Sequence, residues 1–281
     1  MVEDNFEYSR LFDYLTTQDL EKGKKKIEKA VRKLKANWNI SSNSQWVLRN
    51  YLATKMLMSA TVMLNSSEFG KKHNIKVTEP YLMYYSVLNC ARAVMFTNPN
   101  VDWNNGELTI ATHSKTINIV GDAIAQFSKK AGETIKDILE SAREYRELFS
   151  YKFPAKGITD FAIDSGKAIE VCSFLAEFAQ YQSEILETIN FGNKNMEVNI
   201  DETILEKGFI YKGEKYEYLD NDDWYRLDYM RRKQPFPVSL YLTLSEGMVE
   251  DFFGAWYSDK AVKNKNIFDP DKDCRLIFPF P

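Results

Sequence analysis

The sequence predicts a mainly α-helical protein, an antiparallel helical bundle carrying a small α+β appendage at its C-terminal end. Three observations lead there. Between residues 46 and 190, apolar side chains recur every three or four positions in run after run, the period of helices with one buried face. Short stretches dense in turn formers, such as "TNPNVDWNNGE" (97–107), separate the runs. Beyond residue 190 the period changes. There "GFIYKGEKYEYL" (208–219) alternates Phe, Ile and Tyr with polar residues around Lys212-Gly213-Glu214, as a short hairpin does. The chain divides accordingly into a basic N-terminal helical extension (1–45), the bundle (46–190) and the appendage (191–281). Its 281 residues, 44% of them hydrophobic, are enough to bury a core.

The elements follow in order. Residues 17–38 place Leu20, Ile27, Val31, Leu34 and Trp38 on one helical face. The opposite face carries Lys22, Lys24, Lys25, Lys26, Lys29, Arg32, Lys33 and Lys35 against Glu21 and Glu28. The polar "NISSNSQ" (39–45) reads as a linker. A helix is expected over 46–64, ended by "NSSEFGKKHN". The next, 79–96, is apolar on nearly every side and should be the central helix. Residues 113–128 repeat the spacing with Ile117, Val120, Ile124 and Phe127. Residues 132–151 do so with Ile135, Ile138, Leu139, Ala142, Tyr145 and Phe149, before "KFPAKGITD" ends the run. Residues 165–189 form the last bundle helix, followed by "NFGNKN". In the appendage, 238–258 reads as helix and the tail "CRLIFPFP" must dock or fray.

Composition narrows the function classes. A net charge of −3 confines any nucleic-acid contact to local patches. Cys90, Cys172 and Cys274 are far apart, and two lie in apolar helical runs, the usage of a reducing cytosol. No C-x-x-C appears, so neither a zinc site nor a redox motif is expected. "DPDKD" (269–273) imitates the start of a calcium loop, but no glycine stands at its sixth position and Phe280 stands at its twelfth. No metal or cofactor is therefore expected. Phosphate-loop, dinucleotide, zincin and serine-hydrolase motifs are all missing from the sequence. The acidic start "MVEDNFEYSR" has no apolar signal core, and the most apolar run (81–96) is too short to span a bilayer and contains Arg92. The expected location is the cytoplasm, away from membranes.

The order of the helices carries a resemblance. "YLATKMLMSATVML" precedes a loop and "YLMYYSVLNCARAVMF"; then come "THSKTINIVGDAI", "KDILESAREYRELFSYKFP" and a last amphipathic helix. This pattern resembles the HEPN superfamily of prokaryotic helical domains, which typically show "YYAxFxAARALL", an "HSG"-like helix start and "LxxLRxxADY" ahead of a final helix. The match covers 46–190, about half the chain. It implies a HEPN-like bundle that forms a homodimer or pairs with another subunit, in a prokaryotic defence or toxin–antitoxin system. Many members of that superfamily are nucleotide-independent ribonucleases, and others are catalytically silent partners of nucleotidyltransferases.

The superfamily's ribonuclease signature is an arginine, four to six residues, and then a histidine, in which the imidazole moves a proton and the cation stabilises the phosphorane. Here the windows are empty of histidine. Counted from Arg143 they hold Leu148, Phe149 and Ser150; counted from Arg146 they hold Tyr151, Lys152 and Phe153. The resemblance therefore implies a non-catalytic or divergent component that binds RNA or a partner protein. Its alternatives are a ribonuclease using Arg143, Arg146 and Tyr151, and a scaffold subunit with no nucleic-acid role.

Candidate residues carry paired expectations. Arg143, Arg146 and Tyr151 either hold RNA phosphates or pair with Glu140, Glu144 or Glu147 inside the bundle. Lys24, Lys25, Lys26, Lys29, Arg32 and Lys33 either bind a polyanion through counterion release or simply solvate their helix. Arg231 and Arg232, in the aromatic-basic stretch "DWYRLDYMRRK", either bind nucleic acid or pair with the interleaved Asp222, Asp223 and Asp228. His113, in "ATHSKT", is expected at a helix start capped by Thr112 or Ser114, and His73 in solvent.

Overall fold

The computed structural model describes residues 6–155, 163–191, 199–256 and 273–281. The acidic first five residues, most of the "NFGNKN" stretch, residues 156–162 and nearly all of "DPDKD" lie outside the described residues. The fold class is mainly α with a small α+β appendage, as the periodicity predicts.

Helix α1 (Thr17–Lys35) opens on a capping box in which the Thr16 side chain accepts from Asp19 N–H and Asp19 reaches back to Thr16 N–H. It buries Gly23, Ile27 and Val31. Gly23 has a steric reason: an added Cβ would lie 1.9 Å from the Phe127 ring. Ahead of α1, the backbone N–H groups of Ser9, Arg10 and Leu11 donate to the Glu177 carboxylate at 3.1, 2.7 and 2.9 Å.

Helix α2 (Ile40–Lys72) corrects two expectations. The polar stretch 39–45 is its first turn and a half, not a linker, because Asn39 caps it by accepting from Ser42 N–H at 2.9 Å. Ser44 is buried and donates back to the Ile40 carbonyl, while Asn43 donates to the Pro235 carbonyl. The helix also runs past Leu64, since Asn65 and Ser66 return their side chains to the carbonyls of Thr61 and Val62. Polar side chains here satisfy backbone without ending the helix.

Helix α3 (Glu79–Thr97) sits at the centre, packed against α2 and against three helices that follow it: α4 (His113–Ala125), α5 (Lys129–Tyr151) and α6 (Ser165–Phe191). Its carboxyl end is held by buried Arg49, which donates to the carbonyls of Phe96, Asn98 and Val101 at 2.6, 2.8 and 2.9 Å. The turn before α4 uses Asn104, Asn105 and Gly106 at positive φ, a conformation these residues tolerate. Helices α4 and α5 approach closely where Gly121 meets Gly132; a Cβ on Gly132 would lie 2.6 Å from the Gly121 carbonyl oxygen.

The appendage contains α7 (Glu202–Leu205), strands β1 (Ile210–Lys212) and β2 (Glu217–Leu219), and α8 (Asn221–Lys233). The strands pair antiparallel with Tyr211 opposite Tyr218, the hairpin the alternation predicts. The stretch read as one helix over 238–258 is instead α9 (Leu240–Thr243) and α10 (Glu246–Gly254), broken at Leu244, whose backbone is extended. The tail docks, with Phe278 and Phe280 buried. Leu227, Phe253 and Phe278 join the same apolar cluster as Tyr51, Val87 and Phe178, so bundle and appendage share one core. Where α8 meets α2, buried Asp223 accepts from Tyr51 Oη at 2.5 Å, from Tyr211 Oη at 3.0 Å and from Lys55, with the Arg226 guanidinium 3.7 Å away. Among the described residues, no helix is long and apolar enough to cross a membrane.

Candidate functional site

Thr112 caps α4 by accepting from Lys115 N–H at 3.3 Å, which places His113 at the first helical position. The α4–α5 hairpin brings the outer face of α5 beside that helix start, and α3 supplies a third wall. Arg92, Ile110, Ala111, Thr112, His113, Ser114, Arg143 and Glu147 line a cleft of about 540 Å³. Arg143 donates to Ser114 Oγ at 2.8 Å and stands 3.8 Å from Glu147. Arg146 stands behind His113, with its guanidinium 3.5 Å from Nδ1 and 5.1 Å above the Tyr84 ring.

The charge is unbalanced. Two guanidiniums, Arg92 and Arg143, line the cleft and Arg146 stands behind His113, while Glu147, 3.8 Å from both Arg143 and Arg146, is the carboxylate beside them. Arg92 forms no ion pair among the described residues, and burial pulls its pKa down. The Nε atoms of Arg92, Arg143 and Arg146 are all buried without a hydrogen-bond partner. The amino end of α4 adds its own partial positive charge.

His113 is governed by the same field. Burial first, then Arg92, Arg146 and Arg143, hold its pKa below the ordinary imidazole value, so it is neutral at pH 7. Its Nδ1 lies 2.8 Å from Tyr84 Oη. Arg146 Nη2, which can only donate, lies 3.5 Å from the same nitrogen, so Nδ1 is an acceptor and the Tyr84 O–H donates to it. That arrangement assigns the ring proton to Nε2. His113 is then a neutral donor whose basic lone pair is already taken, which suits anion binding better than proton abstraction.

The other candidates fall elsewhere. Tyr151 is 77% exposed at the end of α5 and does not line the cleft. Lys24, Lys25, Lys29, Arg32 and Lys33 are exposed on α1 and form no ion pair among the described residues. Lys26 donates to the Gln126 carbonyl just past the end of α4. The basic face of α1 therefore stands at the other end of α4 from the cleft, about 20 Å away at 1.5 Å per residue. Arg231 pairs with Glu202 and with Asp228 at 2.8 Å, and Arg232 with Asp228 at 2.9 Å, so these two follow the intramolecular expectation. His73 is exposed at the end of α2, stacked on Phe69. Sequence reasoning did not single out Arg92, which lines the cleft, and favoured a place at a capped helix start over catalysis for His113. The available signal was that Arg92 is the one cation within the apolar run 81–96.

Comparison with family models, curated proteins and solved structures gave no match.

Proposed function

We propose that this protein is a HEPN-like, non-cleaving component of a prokaryotic defence or toxin–antitoxin system that binds RNA by a phosphate in the Arg92–His113–Arg143 cleft. The observation that carries this is the convergence of two guanidiniums, Arg92 from α3 and Arg143 from α5, on the start of α4, with Arg146 behind His113 and Glu147 as the opposing carboxylate. Arginine forks and helix amino ends are both phosphate ligands. The basic face of α1 supplies a second, sequence-independent contact along the same strand. By resemblance, the chain works in the cytoplasm as a homodimer or with another subunit.

Binding of a single-stranded RNA, followed by fluorescence anisotropy across a salt series, tests this. Arg143→Ala should weaken binding and make the salt slope shallower by about 0.7, one neutralised phosphate on a single strand. Its melting temperature should hardly move, because Arg143 has only a surface carboxylate and Ser114 as partners. Arg146→Ala should also destabilise the fold, by about 1–3 kcal/mol, since Tyr84 and His113 lose a buried donor. No RNA binding at low salt, or an unchanged slope in Arg143→Ala, refutes the function.

Metal-independent cleavage has one observation in its favour: the fold brings His113 within 3.5 Å of Arg146 although no sequence window pairs them. RNA breakdown that survives EDTA and is lost in His113→Gln would establish it. The occupied Nδ1 lone pair argues for the opposite result.

A further inference from the structure

Resting on that RNA-binding function, we infer that the cleft takes a terminal phosphate, a phosphomonoester dianion at an RNA end, in preference to an internal phosphodiester. Charge is the first reason. Arg92 and Arg143 line the cleft with Glu147, and Arg146 behind His113 adds to the positive field, so a dianion gains more here than an internal diester with its single charge. A phosphomonoester carries nearly two negative charges at pH 7, its second pKa being about 6.

Donor supply is the second reason. The cleft offers donors from three directions: Arg92 on α3, the His113 and Ser114 end of α4, and Arg143 on α5. A terminal phosphate presents three free oxygens to such an array, whereas an internal diester presents two and must thread both chain directions past the walls. The rim is the third reason. Ile110 lines the cleft with 80% of its surface exposed, an apolar ledge on which the terminal ribose or base can rest.

Three oligoribonucleotides of one sequence test the preference: one with a 5′-phosphate, one with a 3′-phosphate and one with hydroxyls at both ends, each titrated against the full chain. At least one phosphorylated form should bind about ten- to a hundredfold tighter than the hydroxyl form, the worth of one or two charge-assisted hydrogen bonds. Inorganic phosphate should compete for that difference. Arg92→Gln and Arg143→Gln should each abolish it. Arg143→Gln is the decisive variant if Arg92→Gln fails to fold, because Arg143 sits at the surface of the cleft. Equal binding of all three oligonucleotides overturns the end preference while leaving RNA binding intact. A preference that persists in folded Arg143→Gln also overturns it, by moving the site elsewhere, for instance to the lysines of α1. Failure of all three to bind removes the RNA function itself.

Discussion

Asp223→Asn is the most demanding test of how the appendage is joined to the bundle. The carboxylate is 1% exposed and faces two cations, Lys55 with 19% of its side chain exposed and Arg226 with 4%. Asparagine has nearly the same shape, so packing is preserved and only the charge is lost. Lys55 and Arg226 are then left buried without their shared partner, and the new amide N–H₂ points a donor at donors. Removing one member of a buried ion pair costs about 3–5 kcal/mol. Lys55 can reach water and Arg226 keeps the more exposed Asp251, so the lower end, about 3 kcal/mol, is expected here. At about 2–4 °C per kcal/mol this is a fall of roughly 6–12 °C in melting temperature. Urea unfolding should show the midpoint fall with little change in slope. Adding Lys55→Met should recover part of the loss. A shift worth less than about 1 kcal/mol, the range of surface pairs, would refute the reasoning, because it would mean the three charges are solvated rather than buried.

Two further outcomes follow from the same contacts. Gly23→Ala should destabilise by about 1–3 kcal/mol despite the helix-forming gain of alanine, because its Cβ displaces the fully buried Phe127 ring; a stabilised variant in thermal melts would contradict the packing of α1. His113 should titrate by NMR below the ordinary histidine value of about 6.5, since burial, Arg92, Arg146 and Arg143 all disfavour its cation. A base with a lowered folded pKa costs stability as pH falls through the unfolded value, a cost that grows until the folded value is passed and is missing above about pH 7. Arg143→Gln or added phosphate should move the midpoint upward, and an ordinary, unmoved midpoint would place the imidazole outside the guanidinium field.

Most of the helices were legible because each buries a face. Ile117, Val120, Ile124 and Phe127 are all buried where their spacing puts them. The boundaries failed where polar residues serve the backbone. Asn39, Ser44 and Ser66 read as loop chemistry, yet each is bound to the chain of its own helix, a distinction composition does not carry. The candidate site was half visible. Arg143 was found, and so was Glu147 one turn along the same helix, whereas Arg92 and His113 come from two other helices. A motif with fixed spacing sees neighbours along one helix only. Residues brought together by packing of α3, α4 and α5 share no sequence interval, and Arg92 was masked by the apolar run that buries its stem.

The clamp of Glu177 on the amides of Ser9, Arg10 and Leu11 has a consequence for how the chain is made. Contacts between residue 11 and residue 177 are separated by 166 positions. At about 5–20 residues per second, a ribosome needs roughly 8–30 s to add them. Through that interval residues 9–11 lack the carboxylate that holds them, and the lysine-rich amphipathic segment behind them lacks its face on α6, which does not yet exist. A transcript cut short before codon 177 would release a product with its first segment untethered and the core-facing side of α1 open to other chains. Completion of the last bundle helix is therefore the step that fixes Ser9, Arg10 and Leu11.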